Sequence, residues 1–206
     1  PGKENGNVSQ VYAYRVMNRL INTFDYLVDL HTASFGRVNS YYIRADMSDE
    51  VTRHMAMLQN AQIIVDNPPS DGTLRGAAGE LGIPAITLEV GDPQRFQRGM
   101  IRSSMTGIYN LLNYLEMTDH DLEEPDTPTV ICGKSYWLFS DEGGLIRVHP
   151  QVTERVEKGE KVATLRNVFG DVIREYYAPQ DGIVIGKQVN PIVMTGGRIL
   201  HLGITK

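Results

Sequence analysis

The stretch FDYLVDLHT, residues 24–32, runs from an apolar segment directly into a histidine at the start of a polar loop. A second apolar run, IPAITL at residues 83–88, ends in the same way at Glu89. Both runs are short and apolar enough to be buried strands. In open α/β sheets, ligands gather at the carboxyl ends of the strands. The two stretches therefore predict an α/β fold whose sheet presents His31 and Glu89 at one edge.

His31 and Glu89 are the residue types that metal-assisted hydrolysis requires. A neutral imidazole binds zinc, and a carboxylate takes a proton from a metal-bound water. One histidine is not a metal site, because catalytic zinc normally has three protein ligands and one open position. The other four histidines lie at positions 54, 120, 149 and 201, and no two of the five share a metal-ligand spacing. Either the missing ligands come from elsewhere or the site binds no metal.

Composition and charge exclude several classes of protein. The 206 residues carry 20 Lys and Arg against 25 Asp and Glu, a net charge of −5, whereas a nucleic-acid binder usually shows a basic face. A single cysteine, Cys132, excludes an intrachain disulfide framework. The sequence has no signal-peptide pattern and no apolar run of membrane-spanning length. We therefore expect a cytoplasmic location and neither a nucleic-acid nor a membrane partner.

An acidic segment divides the chain. Residues 118–128, TDHDLEEPDTP, contain five acids, two prolines and one large apolar side chain, so they cannot bury much surface. We predict an α/β domain at 1–117, an acidic linker at 118–128 and a β-rich domain at 129–206.

Helices and strands alternate in the first part, which implies a mostly parallel sheet covered by helices. Asn7 and Ser48 are predicted to cap two helices. Further helices are predicted at 73–81 and 94–116, and strands at 26–30, 39–44, 63–65 and 85–89.

The second part has short apolar runs separated by glycine turns every ten to fifteen residues, which is typical of a β barrel or sandwich. Strands are predicted at 130–132 and 136–139, followed by a hairpin of strands at 162–165 and 171–177. The order of turns resembles biotinyl and lipoyl carrier barrels. The hairpin turn at 166–170 contains no lysine, so we predict that this part is carrier-like in shape and carries neither group.

Two motifs give the chain a family resemblance. Residues 29–32, D-L-H-T, and residues 82–91, G-I-P-A-I-T-L-E-V-G, resemble the succinylglutamate desuccinylase/aspartoacylase family, relatives of zinc carboxypeptidases. Pro1-Gly2 is similar to the end of the family's N-R-x-F-P-G stretch. The family's H-x-x-E upstream of D-L-H-T is absent, so we interpret the chain as the C-terminal portion of a longer enzyme. The resemblance implies a zinc-carboxypeptidase-like sheet, truncated at its N-terminus.

The resemblance also implies roles for individual residues. His31 would bind one zinc ion together with a histidine and a glutamate upstream of Pro1, and Glu89 would be the general base. Arg75 would hold a substrate carboxylate, as an arginine slightly upstream of the glutamate does in the family. Arg37 and Asn39 lie in a predicted loop, where they either reach the substrate or serve solubility. Asp29 either supports His31 or points away from it, as strand alternation leaves open.

The leading functional hypothesis is zinc-dependent hydrolysis of the amide bond of an N-acyl amino acid or a similar small carboxylate. A zinc carboxypeptidase that acts on short peptides is one alternative. The other is a non-catalytic module, because these residues lack two of the three zinc ligands, and we expect the isolated fragment to be inactive. The partner expected in the first case is a small-molecule carboxylate, and a homo-oligomer stays open.

Overall fold

Helices alternate with strands in the first part of the chain, and strands alone fill the second. The computed structural model describes residues 2–70, 72–125 and 127–205. Within them lie the α-helices α1 (Val8–Arg19), α2 (Glu50–Met57), α3 (Leu74–Glu80) and α4 (Arg98–Tyr114). The strands of the first part are β1 (Leu27–His31), β2 (Arg37–Asn39), β3 (Tyr41–Ala45), β4 (Ile63–Asp66) and β5 (Ala85–Val90). Those of the second are β6 (Val130–Phe139), β7 (Gly144–Val148), β8 (Arg155–Val156), β9 (Lys161–Arg166), β10 (Val172–Tyr177), β11 (Gly182–Gln188), β12 (Ile192–Val193) and β13 (Arg198–Thr205).

Of the two predicted helix caps, Asn7 is confirmed and Ser48 is not. Asn7 caps α1, where its side chain accepts a hydrogen bond from the Gln10 amide. The cap of α2 is Asp49, which accepts from the Thr52 amide at 2.8 Å, and the prediction of Ser48 was wrong. The Ser48 hydroxyl donates to Asp46 instead. Both residue types cap well, but a carboxylate also interacts favourably with the positive end of the helix dipole.

A mixed sheet forms the body of the molecule. Its strand order is β1-β5-β3-β4-β6-β13-β11-β2, with β8 on the side of β11. The pairs β1–β5, β3–β4 and β4–β6 are parallel, whereas β3–β5 and the pairs of the second part are antiparallel. The predicted fold class, an α/β sheet with flanking helices and a smaller all-β region, is confirmed.

The mixed sheet contains strands from both sides of the acidic segment 118–128. Residues 130–139, predicted as two strands, form the single strand β6, in which residues 130–132 pair with β4 and residues 132–139 pair with β13. Arg37 and Asn39 were predicted to lie in a loop, with a strand over residues 39–44, but residues 37–39 form the separate strand β2, which pairs with β11. Local sequence could not reveal this pairing, because its partner lies about 150 residues away along the chain. The division into domains at 118–128 stays a prediction.

The last strand of the mixed sheet, β2, lies next to β3 along the chain. Only Ser40 separates β2 from β3 along the chain, and its amide and hydroxyl both donate to the Ile185 carbonyl. The strands from β3 round to β2 therefore enclose a core that contains Tyr42, Ile63, Val65, Cys132, Ile183 and Ile185. Cys132 is buried in this core, and burial raises the pKa of its thiol to about 11, which keeps it protonated.

The second part also contains a smaller antiparallel sheet with the order β10-β9-β7-β12. Its hairpin of β9 and β10 is the one predicted from the sequence, and the absence of an attached group stays a prediction. Among the residues described, no helix has both the length and the apolar character needed to cross a membrane. Pro1, which the sequence placed in the N-R-x-F-P-G motif, lies outside the described residues.

Candidate active site

The two motif strands lie side by side. β1 and β5 are parallel neighbours, and their register sets His31 directly opposite Glu89. Both residues are at the carboxyl ends of their strands, which is where the sequence placed them. We call Asp29, His31 and Glu89 the reacting edge.

Asp29 supports His31. Residues two apart on a strand point to the same face, and His31 Nε2 lies 2.9 Å from Asp29 Oδ2. An ionised carboxylate only accepts hydrogen bonds, so Nε2 is the donor, and in the neutral form of the ring the lone pair is on Nδ1. The His31 side chain is 49% exposed and that of Asp29 is 21% exposed. This arrangement settles the orientation that alternation left open, and it is the pairing typical of metal-binding histidines.

Glu89 is buried and held at both oxygens. Arg44 Nη2 donates to Oε1 at 2.9 Å, and Asn39 Nδ2 donates to Oε2 at 3.2 Å. Burial raises the pKa of Glu89, and this effect outweighs the lowering by Arg44, His31 and Asn39. A carboxylate with a raised pKa is a stronger base than an ordinary glutamate.

Arg44 and Tyr42 are site residues that the sequence interpretation missed. Arg44 Nη2 and Nε donate to the Tyr42 hydroxyl at 2.7 and 3.2 Å. Burial alone would lower the pKa of Arg44, but Tyr42 and Glu89 together raise it. The available signal was an arginine inside a strand of otherwise apolar residues, because a charge in such a place needs a partner.

Asn39 reaches Glu89 from β2, and Arg37, two residues earlier on the same strand, points to the same face. Gly186 on β11 permits the close approach of this strand, because a Cβ there would collide with the Asn39 side chain and the Val38 carbonyl. The guanidinium carbon of Arg37 lies over the Trp137 ring, 5.5 Å from its centroid.

Arg75 is buried next to Asn67. Its Nη1 donates to the Asn67 carbonyl and its Nη2 to the Asn67 side-chain oxygen, both at 2.6 Å. Burial lowers its pKa, Arg44 lowers it further, and Asp46 and Asp29 oppose the change, so Arg75 lies within electrostatic reach of the reacting edge. It also lines a cavity of about 460 Å³ with residues of α2 and α3. The substrate-binding role predicted for it stays a prediction.

The family match agrees with this geometry. Residues 4–115, more than half of the chain, match the family described as the succinylglutamate desuccinylase/aspartoacylase catalytic domain. The chain belongs to this family. The family name places it among hydrolases. No curated protein matches the chain.

Solved structures of the desuccinylase/aspartoacylase type share the fold. A succinylglutamate desuccinylase from Silicibacter sp. TM1040 superposes with a TM-score of 0.87 at 22% identity. The product-bound ectoine utilization protein EutE (DoeB) from Ruegeria pomeroyi gives 0.90 at 21% identity. A succinylglutamate desuccinylase/aspartoacylase from Rhodobacter sphaeroides gives 0.88 at 20% identity. Each match covers 100% of this chain and 66% of the other, so the chain spans slightly less than two thirds of these relatives.

The donor set fits zinc in one respect. His31 offers a free Nδ1 and a carboxylate on its other nitrogen, which is how a zinc-binding histidine is arranged. Residues 2–70, 72–125 and 127–205 contain no group of three or more His, Cys, Asp or Glu side chains that could hold a metal ion. The described residues therefore hold one side chain of the kind expected in such a site.

An H-x-x-E spacing does occur in the acidic segment, at His120 and Glu123, after D-L-H-T and not before it. His120 Nε2 lies 3.9 Å from Glu123 Oε1, and both side chains are exposed. The His120 ring packs against Tyr109 on α4. Within the described residues, no hydrogen bond, ion pair or ring contact joins this pair to His31 or Glu89, so the spacing has no structural link to the reacting edge.

Proposed function

We propose that this chain is the larger part of a zinc-dependent hydrolase that cleaves the amide bond of an N-acyl amino acid or a similar small carboxylate. The observation that carries the proposal is the register of β1 and β5, which sets His31 with its supporting Asp29 opposite the buried Glu89. A ligand for the metal and a base for the water are thus side by side, as amide hydrolysis requires.

His31 would hold the metal through Nδ1, and the remaining ligands would come from residues outside this sequence. When bound, zinc supplies the Lewis acidity that makes the acyl carbonyl electrophilic and water nucleophilic. Asp29 keeps the His31 ring in one tautomer and one orientation through its 2.9 Å hydrogen bond.

Glu89 would move the proton. Its Oε1 accepts a charge-assisted hydrogen bond from Arg44 at 2.9 Å, whereas its Oε2 accepts a longer, neutral one from Asn39 at 3.2 Å. Oε2 is therefore the less tightly held oxygen, and we assign it the proton. Glu89 Oε2 takes this proton from the attacking water and delivers it to the nitrogen of the leaving amine.

Substrate binding is proposed for Arg37, Asn39 and Arg75. Asn39 already positions Glu89 through one N–H of its amide, and the second N–H would bind the substrate. Arg75 could contact a carboxylate only through N–H groups that Asn67 does not hold. A cytoplasmic location is part of the same proposal.

The test uses the complete protein that contains this chain, loaded with zinc. Glu89→Gln keeps the shape and removes the base, so kcat should fall on the order of 10²-fold or more while zinc stoichiometry is unchanged. His31→Ala should lower the zinc content itself. Glu50→Gln, at an exposed position in the first turn of α2, is the matched control and should retain activity.

The choice of substrates separates the alternatives. N-acyl amino acids should be hydrolysed faster than dipeptides; the reverse order would assign the site to a carboxypeptidase. Near-normal turnover by Glu89→Gln would refute its role as base. Unchanged zinc content in His31→Ala would refute its role as ligand.

A further inference from the structure

Two arginines from distant parts of the chain contact the ring of a tryptophan on β6. The guanidinium carbons of Arg37 on β2 and Arg198 on β13 lie over the Trp137 ring, 5.5 and 5.3 Å from its centroid. An indole face attracts cations, and Arg is the cation that stacks on it best. We call Arg37, Trp137 and Arg198 the cationic wall.

The two arginines have no carboxylate partner within the described residues. The ion pairs found there involve other arginines, including Arg44 with Glu89 and Arg174 with Asp141. Burial lowers the pKa of Arg37, and the positive charge of Arg198 lowers it further. Two like charges held on one ring repel each other, and an anion that accepts hydrogen bonds from both would relieve that repulsion.

The Trp137 ring stacks on a second aromatic ring, which holds it in place. His201 lies opposite Trp137 in the β6–β13 register, and the two rings stack at 4.9 Å with an interplanar angle of 11°. Burial, together with Arg44 and Arg198, lowers the pKa of His201 to about 3, so the ring is neutral at physiological pH. Its Nε2 shares a 2.9 Å hydrogen bond with the Ser135 hydroxyl. The wall therefore rests on rigid strands, as a binding site requires.

Two routes of contact connect the cationic wall to the reacting edge. Along β2, Arg37 points to the same face as Asn39, whose amide holds Glu89. On the other side, His201 makes an edge-to-face contact with Tyr42 at 5.9 Å. The Tyr42 hydroxyl accepts from Arg44, which pairs with Glu89. The cationic wall is therefore joined to the side chains that hold Glu89 from two directions.

We infer that Arg37 and Arg198, stacked on Trp137, bind the free carboxylate of the amino-acid half of the substrate. The inference rests on the proposed hydrolysis and extends it, since it assigns substrate recognition to strands of the β-rich part. A guanidinium binds a carboxylate through two parallel N–H donors, and stacking on the indole keeps those edges free. An N-acyl amino acid is then accepted, and its carboxamide is rejected.

The experiment measures binding without turnover. Trp137 is the single tryptophan of the 206-residue chain, so its fluorescence reports on the wall alone. We would titrate the chain with N-acetylglycine and with N-acetylglycinamide, which differ only in the carboxylate. The acid should change the emission and saturate, and the amide should bind at least about tenfold more weakly.

Variants then test each arginine. Arg198→Gln, at an exposed position, and Arg37→Gln should each weaken binding of the acid about tenfold or more and leave binding of the amide unchanged. Arg147→Gln removes one exposed positive charge from β7, which contributes nothing to the wall, and should bind like the native chain. Far-ultraviolet circular dichroism and the unfolding midpoint would show that each variant is folded.

Two results would overturn the inference: equal binding of acid and amide by the native chain, or equal weakening by Arg147→Gln and Arg198→Gln. The proposed function fails separately. If the complete protein does not hydrolyse N-acyl amino acids but the acid still binds selectively through Arg198, only the hydrolysis is refuted. If hydrolysis is intact and the two wall variants bind normally, only this inference is refuted.

Discussion

The reacting edge and the cationic wall are built in opposite ways. On the reacting edge every charged group has a partner within the fold, since His31 bonds to Asp29 and Glu89 to Arg44. On the wall, Arg37 and Arg198 share an aromatic ring and have no carboxylate partner among the described residues. Internal partners hold groups for chemistry in one geometry, whereas unpaired charges are available to a ligand. The difference teaches which region would act on the substrate and which would select it.

The largest predicted effect concerns His201, which stacks on Trp137 and so supports the cationic wall. The pKa of His201 is lowered from 6.5 to about 3, so the unfolded chain binds a proton that the folded chain excludes. The stability due to neutral His201 is therefore complete above pH 6.5 and is lost as the pH falls from 6.5 towards 3. By pH 3 the loss should reach about 4–5 kcal/mol.

Urea unfolding of the native chain and of His201→Phe between pH 7 and pH 4 would measure this loss. The variant keeps an aromatic ring under Trp137 and cannot titrate, so its free energy of unfolding should fall less steeply with acid. Equal slopes for the two chains would show that His201 is not held neutral.

The next effect concerns the reacting edge. Asp29→Asn replaces an acceptor-only carboxylate with an amide, so the His31 ring loses its fixed tautomer and part of its basicity. In the complete protein, zinc affinity should fall about 10- to 100-fold. Competition with a chelator would measure the affinity. Substitution of Asp25, an exposed acid just before β1, is the control and should leave zinc affinity unchanged. If Asp29→Asn binds zinc as tightly as the native protein, Asp29 does not support a ligand.

Arg75 makes its hydrogen bonds to Asn67, which belongs to neither the reacting edge nor the cationic wall. The variant Arg75→Lys tests whether Arg75 serves stability or substrate binding. Lysine keeps the charge but loses the two-pronged contact with Asn67, so we expect the free energy of unfolding to fall by about 1–3 kcal/mol. KM should rise less than in Arg198→Gln, because Asn67 occupies both terminal nitrogens. An unchanged stability with a large rise in KM would instead make Arg75 the principal carboxylate clamp.

The smallest effect concerns the ion pair of Glu89. Arg44 lowers the pKa of Glu89 against the raising by burial, so Arg44→Gln should raise that pKa. The base acts when ionised, and the acid limb of kcat/KM should therefore move to higher pH. A pH–rate profile of the complete protein would show the shift. Arg102→Gln, an exposed substitution on α4, should leave the pH–rate profile unchanged. An equal shift in Arg102→Gln and Arg44→Gln would show that Arg44 does not act on Glu89 in particular.

Several features were predictable because they depend on neighbours in the sequence. The cap at Asn7, the hairpin of β9 and β10 and the two motif strands follow local patterns of polarity and turn residues. The adjacency of His31 and Glu89 follows from one general rule, that strand ends in an α/β sheet meet at one edge. The choice between Ser48 and Asp49 as cap was not predictable, because adjacent residues with similar capping ability compete for the same amide.

The sequence by itself therefore determined the fold class, the family and the two strand ends that carry His31 and Glu89, because each of these is written in a continuous stretch. Only the tertiary structure decided that residues 37–39 form a strand against β11, that Arg44 pairs with Glu89 and that Arg37 and Arg198 both lie over the Trp137 ring. The physical reason is sequence separation. These contacts join residues from 45 to more than 150 positions apart, and they form only when strands from both parts of the chain close one sheet around a shared core.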